Sequence, residues 1–483
     1  MTSSPELVPL FVDLDGTLMA SDTLFESALS SLKSSPWDIL TWPLWLASGR
    51  ARLKSNIAAS SNLDASRLPY LLPFCEYLKS ERQRGRRIFL ATAADRSIAT
   101  AVSDHLGLFD GVIASDGIDN LKGAKKLQAI RRQHEGPFVY AGNSTDDLPI
   151  WAGADSAIIV TNGSRLSERV SALCPVEKVF DSGAFHLGHL IGAMRPYQWI
   201  KNTLIFVPLL TSFQFGQLSL VSAALMAFVA FSLCASATYI LNDLMDLDAD
   251  RAHPRKRLRP FAAGRVPIPA GIAAMVALYA GGLLAAGYQS NAVFYVLLAY
   301  IVTSNAYSLR LKHYLLMDSV VLAALYTVRM YAGSVATGIE VSVWLLAFSL
   351  FVFVSLALLK RCAELVTHES GGRSMVRGRA YRVADLRVLW PLGVATSVSA
   401  VVVFVLYSTD PLVRARYNTP AGLWMVAVGL VYWLGRLWLK TNRGEMTDDP
   451  IVFALKDYGS RVTVLAMIMI TLAAHVIDIR FLT

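Results

Sequence analysis

The stretch 242–264, NDLMDLDADRAHPRKRLRPFAAG, decides how the chain is read. Asp243, Asp246 and Asp250 follow one another at spacings of three and four, which on a helix puts them on one face. Like charges so close repel unless a cation neutralises them. Hard oxygen ligands, with Asn242 among them, suit Mg2+, which is commonly held by one or two carboxylates together with substrate phosphates. Arg251, Arg255, Lys256, Arg257 and Arg259 come next. A divalent cation beside fixed guanidinium and ammonium groups is what a departing diphosphate needs. Alone, the basic run reads as an anchor at lipid head groups. The acidic run 246–250 looks like the start of a calcium loop but lacks the glycine and terminal glutamate of an EF-hand. Carboxylates and cations together favour a metal–diphosphate site.

The flanks are apolar. Residues 202–242 carry no charge over 41 positions, and residues 266–309 none over 44. A crossing takes about 20 apolar residues, so each run holds two helices, the first pair turning near 213–217. A third pair covers 317–360, interrupted by Arg329 and Glu340, and single spans lie near 389–408, 419–437 and 461–478. The total is nine. The loops 243–265, 307–316, 361–388 and 440–461 hold nearly all the Lys and Arg of this half. The positive-inside rule therefore puts them, and the N-terminal half, on the cytoplasmic side of the inner membrane, with the C-terminus outside. Arg329 lies inside a span, where a charge usually faces a functional cavity; a structural pair with Asp318 is the alternative.

Composition agrees. Hydrophobic residues make up 54% and charged residues 17%, and mean hydropathy is +0.44, which excludes a disordered chain and an ordinary soluble enzyme. Of the net charge of +9, residues 1–185 contribute −2 (19 basic, 21 acidic) and residues 186–483 contribute +11 (26 basic, 15 acidic). A basic excess confined to the apolar half fits inward-facing loops and anionic substrates, not nucleic acid. The four cysteines show no paired spacing, which argues against a disulfide framework or zinc site. The first residues lack the basic start and apolar run of a signal peptide.

Residues 1–185 read as a soluble α/β domain, with 186–200 as an interfacial linker and 201–483 as an all-α membrane domain. Short apolar runs recur: VPLFVD ending at Asp13, RIFLAT ending at Thr92, then GVIAS, FVYAG and AIIV. Such runs, separated by helical stretches, imply a Rossmann-like parallel sheet covered on both faces, with functional groups beyond its carboxyl edge. Between the first two runs, about 18–86 form a helical cap. Its segment 34–54, SSPWDILTWPLWLASGRARLK, has two readings: cap packing, or an interfacial helix, since Trp favours that depth.

NDLMDLDAD resembles the first aspartate-rich motif, NDxxDxxxD, of the UbiA superfamily of intramembrane prenyltransferases, over about 190–483. The resemblance implies nine transmembrane helices around a cavity, and Mg2+ holding a diphosphate through Asn242, Asp243, Asp246 and Asp250. The second polar loop, YSLRLKHYLLMD at 307–318, keeps only Asp318 of the family's second motif, with Lys312 upstream; this departure argues against an aromatic acceptor. MRPYQWIKN at 194–202 and DRAHPRKRLRPFAAG at 250–264 are similar to the polyprenyl-phosphate phosphoribosyltransferase branch, that of the decaprenyl-phosphate phosphoribosyltransferases. That branch implies phosphoribosyl pyrophosphate as donor and polyprenyl phosphate as acceptor. Arg195, Lys201, Arg257, Arg259, Lys312, Asp318 and Arg329 are then the expected substrate contacts. Residues 360–387 are a candidate cover for the cavity, and 448–461 recur in the branch without an assigned role.

FVDLDGTL at 11–18 resembles the haloacid dehalogenase superfamily, over about 7–185. The resemblance makes Asp13 a nucleophile, Asp15 a general acid/base and Thr92 a phosphoryl contact. Lys122, in NLKGAKK, matches the neutralising lysine, leaving Lys125 and Lys126 as solvated helix charges. AGNSTDD at 141–147 matches the last motif, with Asn143 replacing its first aspartate and Asp147 keeping the last. Mg2+ is expected on Asp13, Asp15 and Asn143, with one negative charge fewer than usual. The joint expectation is a bifunctional membrane enzyme: phosphoribosyl transfer to polyprenyl phosphate, then removal of the 5-phosphate. The alternative is a prenyltransferase with an aromatic acceptor and a regulatory or inactive hydrolase-like domain.

Overall fold

The computed structural model describes residues 7–183, 185–370, 380–446 and 449–478. The middle of the candidate cover, residues 371–379, together with Asp448 and Arg480, lies outside them. Contacts divide the chain into two compact units. One joins Met1–Arg195 to Tyr239–Val276; the other joins Pro196–Thr238 to Ala277–Thr483. The aspartate-rich stretch 242–264 thus falls in the same compact unit as residues 1–195.

In the first unit, six parallel strands form one sheet: β1 (Leu10–Val12), β2 (Ile88–Asp95), β3 (Gly111–Ser115), β4 (Val139–Gly142), β5 (Ser156–Val160) and β6 (Val176–Phe180), in the order β3-β2-β1-β4-β5-β6. Alternation sends Leu10, Val12, Leu90 and Val139 into one core and Phe11, Phe89, Tyr140 and Ile159 into the other, so both faces are covered. Five strands coincide with the apolar runs. The sixth, VEKVF, has none of that signature: it is an edge whose Glu177, Lys178 and Val179 are exposed, unlike β3 at the other edge, whose Ile113 to Ser115 are buried. Strand order reverses between β1 and β4, the switch point where α/β sheets open a crevice at their carboxyl ends. The insertion after β1 is helical: Thr23–Ser34, Trp42–Ala47, Arg50–Ser60 and Leu72–Gln83, with a 3-10 turn at Pro36–Leu40.

Among the described residues, eight helices are long and apolar enough to cross a membrane: Leu218–Met245, Ile268–Gln289, Asn291–Leu309, Met317–Thr337, Val343–Thr367, Val383–Thr409, Gly422–Asn442 and Tyr458–Val476. The expected first crossing is not among them. It is a 3-10 stretch, Pro196–Phe206, followed by a five-residue α-helix, Val207–Thr211. Pro208 has no amide to bond back to Leu204, so no continuous α-helix runs through this junction. In the second unit, Met317–Thr337 lies directly on the 3-10 stretch: a Cβ on Gly333 would come 1.9 Å from the Ile205 carbonyl oxygen.

Candidate functional site

Three groups of polar side chains answer to the sequence expectations. The first lies at the carboxyl edge of the sheet. Asp13 follows β1, and Asn143 follows the neighbouring β4. Asp13 Oδ1 accepts from the Leu14 amide at 2.9 Å and stands 3.0 Å from Lys126 Nζ. Lys126 is 3% exposed, lies 3.6 Å from Asp147 Oδ1, and donates to the Tyr140 hydroxyl at 2.9 Å. Tyr140 donates in turn to Asp147 Oδ1 at 2.9 Å. The other Asp147 oxygen accepts from the amides of Asn143 and Ser144, both at 3.2 Å, and so fixes the loop after β4.

This corrects the lysine expectation. Lys126, read as solvated, is the buried cation at Asp13. Lys122 is exposed and pairs with Asp146 at 2.8 Å. The signal was present: Lys126 and Ile130, four apart, are the buried residues of the Ala124–Gln133 helix.

Burial pushes the Asp13 carboxyl up to about 6, against the pull of Lys126. Burial, then Asp22, pushes Asp15 up to about 7. Burial works against the Lys126 charge, but Asp13 and Asp147 outweigh it and raise its pKa. Thr92 is fully buried in β2; its oxygen accepts from the Ala94 amide at 3.0 Å, leaving its proton to donate. Asp15 is held by Thr23, through the amide at 2.8 Å and the hydroxyl at 3.1 Å. Each Asp15 oxygen thus accepts one bond at the start of the Thr23–Ser34 helix, which fixes the carboxyl beside Asp13 in sequence. Gly16 is required twice over: its φ is +73°, and a Cβ would come 2.0 Å from Asn143 Nδ2.

The second group belongs to the same compact unit. The Leu218–Met245 helix is followed, after Asp246, by a short helix, Leu247–Arg251. The amide of Asp246 still bonds to the Asn242 carbonyl at 2.9 Å, and that of Asp250 to the Asp246 carbonyl at 2.8 Å, so the helical turn is carried across this residue. Asp243 and Asp250, both buried, meet a single guanidinium: Arg259 Nη1 lies 3.2 Å from Asp243 Oδ1 and 2.5 Å from Asp250 Oδ2. Arg195 Nη2 reaches Asp243 Oδ1 at 2.5 Å, from a left-handed backbone (φ 52°) that a non-glycine residue adopts at a cost. Asp243 Oδ2 is buried without a hydrogen-bond partner. Asn242 and Asp246 are half-buried beside the pair, and Arg257 is exposed on the Lys256–Leu258 turn. Arg251 is committed elsewhere, to Glu26, through two hydrogen bonds of 2.7 and 3.0 Å.

Among the described residues, no three His, Cys, Asp or Glu side chains gather as a metal site. The donors still fit Mg2+: two carboxylates with an orphaned oxygen at Asp243, and Asp13 with the Asn143 amide in the sheet group, are hard oxygen sets that substrate phosphates would complete.

The third group lies in the other unit. Arg329 is buried and donates to Asn202 Oδ1 at 2.7 Å, the Leu325 carbonyl at 2.5 Å and the Tyr300 hydroxyl at 2.8 Å. Its guanidinium stacks over Tyr300 and Tyr326 at 4.8 and 5.3 Å, and Lys201 Nζ lies 5.9 Å from the Tyr326 ring. None of these partners is a carboxylate. The alternative pairing with Asp318 is therefore not the one formed. Asp318 is buried against Arg361 Nε at 2.8 Å and accepts from the Tyr381 hydroxyl at 2.6 Å. Lys312 is half-buried on the Leu311–His313 turn. Asn202 and Tyr300 went unread because single polar residues at or within apolar runs carry no spacing signal, and Arg361 and Tyr381 because they sit in a stretch rich in other polar residues.

Residues 204–456 match the UbiA prenyltransferase family, and residues 10–151 match haloacid dehalogenase-like hydrolases. An uncharacterized protein, y4nM, of Sinorhizobium fredii is 38% identical, over 94% of this chain and 88% of its own length. A decaprenyl-phosphate phosphoribosyltransferase of Mycobacterium tuberculosis is 32% identical, over 58% of this chain and 91% of its own. The structure of a UbiA homolog from Archaeoglobus fulgidus bound to GPP and Mg2+ aligns with 60% of this chain and all of its own at a TM-score of 0.44 and 16% identity.

Proposed function

Because the chain belongs to the UbiA prenyltransferase family and carries a haloacid dehalogenase-like hydrolase domain, we propose that it is a two-step membrane enzyme acting on a lipid phosphate. In the first step, phosphoribosyl pyrophosphate gives its 5-phosphoribosyl group to polyprenyl phosphate. A phosphate oxygen of the lipid bonds to the ribose C1 as the C1–diphosphate bond breaks. The nucleophile is already ionised and needs no base. The observation that carries this reading is the buried Asp243–Asp250 pair clasped by Arg195 and Arg259: carboxylates for a metal and cations for phosphates, side by side. Its support among relatives is the likeness to a decaprenyl-phosphate phosphoribosyltransferase. When bound, Mg2+ would neutralise charge on the diphosphate at Asp243 and Asp250, and on the phosphoryl group at Asp13 and Asn143. Arg329 and Lys201, cations of the other unit without a carboxylate among their contacts named above, are proposed phosphate contacts.

In the second step, Asp13 attacks the 5-phosphate phosphorus, and the bond from phosphorus to the ribose 5-oxygen breaks. Asp15 gives that oxygen a proton and then takes one from the water that hydrolyses the aspartyl-phosphate. Thr92 donates to the phosphoryl oxygens, and Lys126 offsets their charge. The product is polyprenyl-phosphoryl-ribose. Both sites are assigned to the cytoplasmic face of the inner membrane.

The test supplies purified protein with Mg2+, polyprenyl phosphate and labelled phosphoribosyl pyrophosphate, and follows the lipid extract by mass. A phosphoribosyl lipid that loses one phosphate with time is expected, and Asp13→Asn should stop the series at the first lipid. Sugar-free lipid would overturn the transferase half and favour a prenyl diphosphate with an aromatic acceptor. Continued dephosphorylation by the Asp13 variant would overturn the hydrolase half.

A further inference from the structure

The Pro36–Leu40 turn and the Trp42–Ala47 helix have not one buried residue between them. Five large apolar side chains face outward from this short segment: Trp37 at 77% exposure, Leu40 at 68% and Leu44 at 70%, with Ile39 and Leu46 about half exposed. A soluble domain rarely leaves so dense an apolar cluster in water. The segment is flanked by the exposed cations Lys33, Arg50 and Arg52.

The same insertion is tied to a loop between two membrane helices. Glu26 holds Arg251 in a buried ion pair of 2.7 Å, and Arg251 stands six positions after Met245, where one apolar helix ends. Gly264, four positions before Ile268, where the next begins, is so close that a Cβ would come 2.8 Å from the Ala20 Cβ. Both ends of the joining loop therefore lean on the insertion.

We propose that the outward face of residues 37–46 is a lipid-binding surface that dips into the interface of the bilayer the chain spans. Trp and Leu would enter the boundary between head groups and acyl chains, and the flanking Lys and Arg would meet anionic head groups. The hydrolase site would then work at the depth of a lipid-borne phosphate. Only the word hydrolase rests on the proposed function; contact with lipid does not.

The test uses the full chain in nanodiscs of phosphatidylcholine and phosphatidylglycerol. All four native cysteines are buried, so an added one labels selectively. Nitroxide labels on Leu40→Cys and Leu44→Cys should collide several-fold more with oxygen than with a water-soluble nickel chelate. Ile118→Cys, at an 88% exposed position of the same domain, should show the reverse. Nickel access at 40 and 44 equal to that at 118 would overturn the proposal. So would protection accompanied by label–label broadening, the sign of a second copy. A Leu40→Asp, Leu44→Asp protein should lose at least tenfold on a lipid-borne phosphomonoester and keep its rate on p-nitrophenyl phosphate; equal losses on both would also overturn the proposal. If the parent protein hydrolyses neither ester, the phosphatase reading fails while the labels still decide the lipid contact.

Discussion

Lys126 and Lys122 differ by four positions in sequence and by almost everything in environment. Lys126 is a buried cation between two carboxylates; Lys122 is a surface charge in an exposed ion pair. Removing one partner from a buried charge cluster costs about 3–5 kcal/mol, whereas exposed pairs contribute about 0–1 kcal/mol. Lys126→Met should therefore lower the unfolding temperature and cut phosphate release by about 100-fold or more, the scale of a lost charge-stabilising group. Lys122→Ala should leave phosphate release within about twofold, since surface changes away from such features are small. Assays of both variants on one phosphomonoester check this; a larger loss for Lys122→Ala would reverse the assignment. Asp243→Asn belongs at the same scale. It takes the carboxylate from Arg195, leaves Arg259 with Asp250 alone and removes the charge of the orphaned oxygen, and the proposed phosphoribosyl transfer should fall by about 100-fold while phosphate release from a soluble ester is unchanged.

Elements were legible wherever one physical signal dominated. β1 to β5 stand out because strands buried on both faces are continuous apolar runs. β6 does not, because it is an exposed edge that carries charge, whereas β3, the other edge, is largely covered and keeps an apolar run. The long membrane helices announce themselves by uncharged length, and the Pro196–Phe206 stretch escapes because hydropathy does not distinguish a 3-10 from an α-helix. Its contact with the Met317–Thr337 helix depends on Gly333, and it is through this contact that Asn202 meets Arg329. Gly333→Ala must push the two backbones apart, an overpacking that costs about 1–3 kcal/mol. Thermal unfolding in detergent should show the loss, and transfer activity should fall further than stability explains. A variant as stable and active as the parent would mean that the contact is dispensable.

At the scale of the whole molecule, Glu26 and Arg251 meet across 225 positions of sequence. Both are buried, so Glu26→Ala leaves a guanidinium without its partner. The expected cost is about 3–5 kcal/mol, and limited proteolysis should open the chain near the Arg251–Gly264 loop. The Glu26→Arg, Arg251→Glu exchange should restore resistance; an undisturbed Glu26→Ala protein would show the pair to be incidental. Topology is tested at this scale too. If Pro196–Thr211 crosses the bilayer, the crossings number nine and the termini lie on opposite sides. A C-terminal reporter fusion should then be active outside the cytoplasm. Activity inside would leave eight crossings and a first segment that does not span.

Much was already written along the chain. Uncharged length, loop charge and two short acidic motifs carry the membrane class, the parallel sheet and the two kinds of chemistry, because each depends on near neighbours and on period. Partner choice among like residues does not. Which lysine enters the sheet's crevice, which arginine bridges Asp243 and Asp250, and whether Asp318 pairs with Arg329 or Arg361 are set by the distance between segments far apart in sequence. A charge is buried only where packing brings an opposite charge or enough hydrogen-bond partners to meet it, and packing is a property of the folded chain.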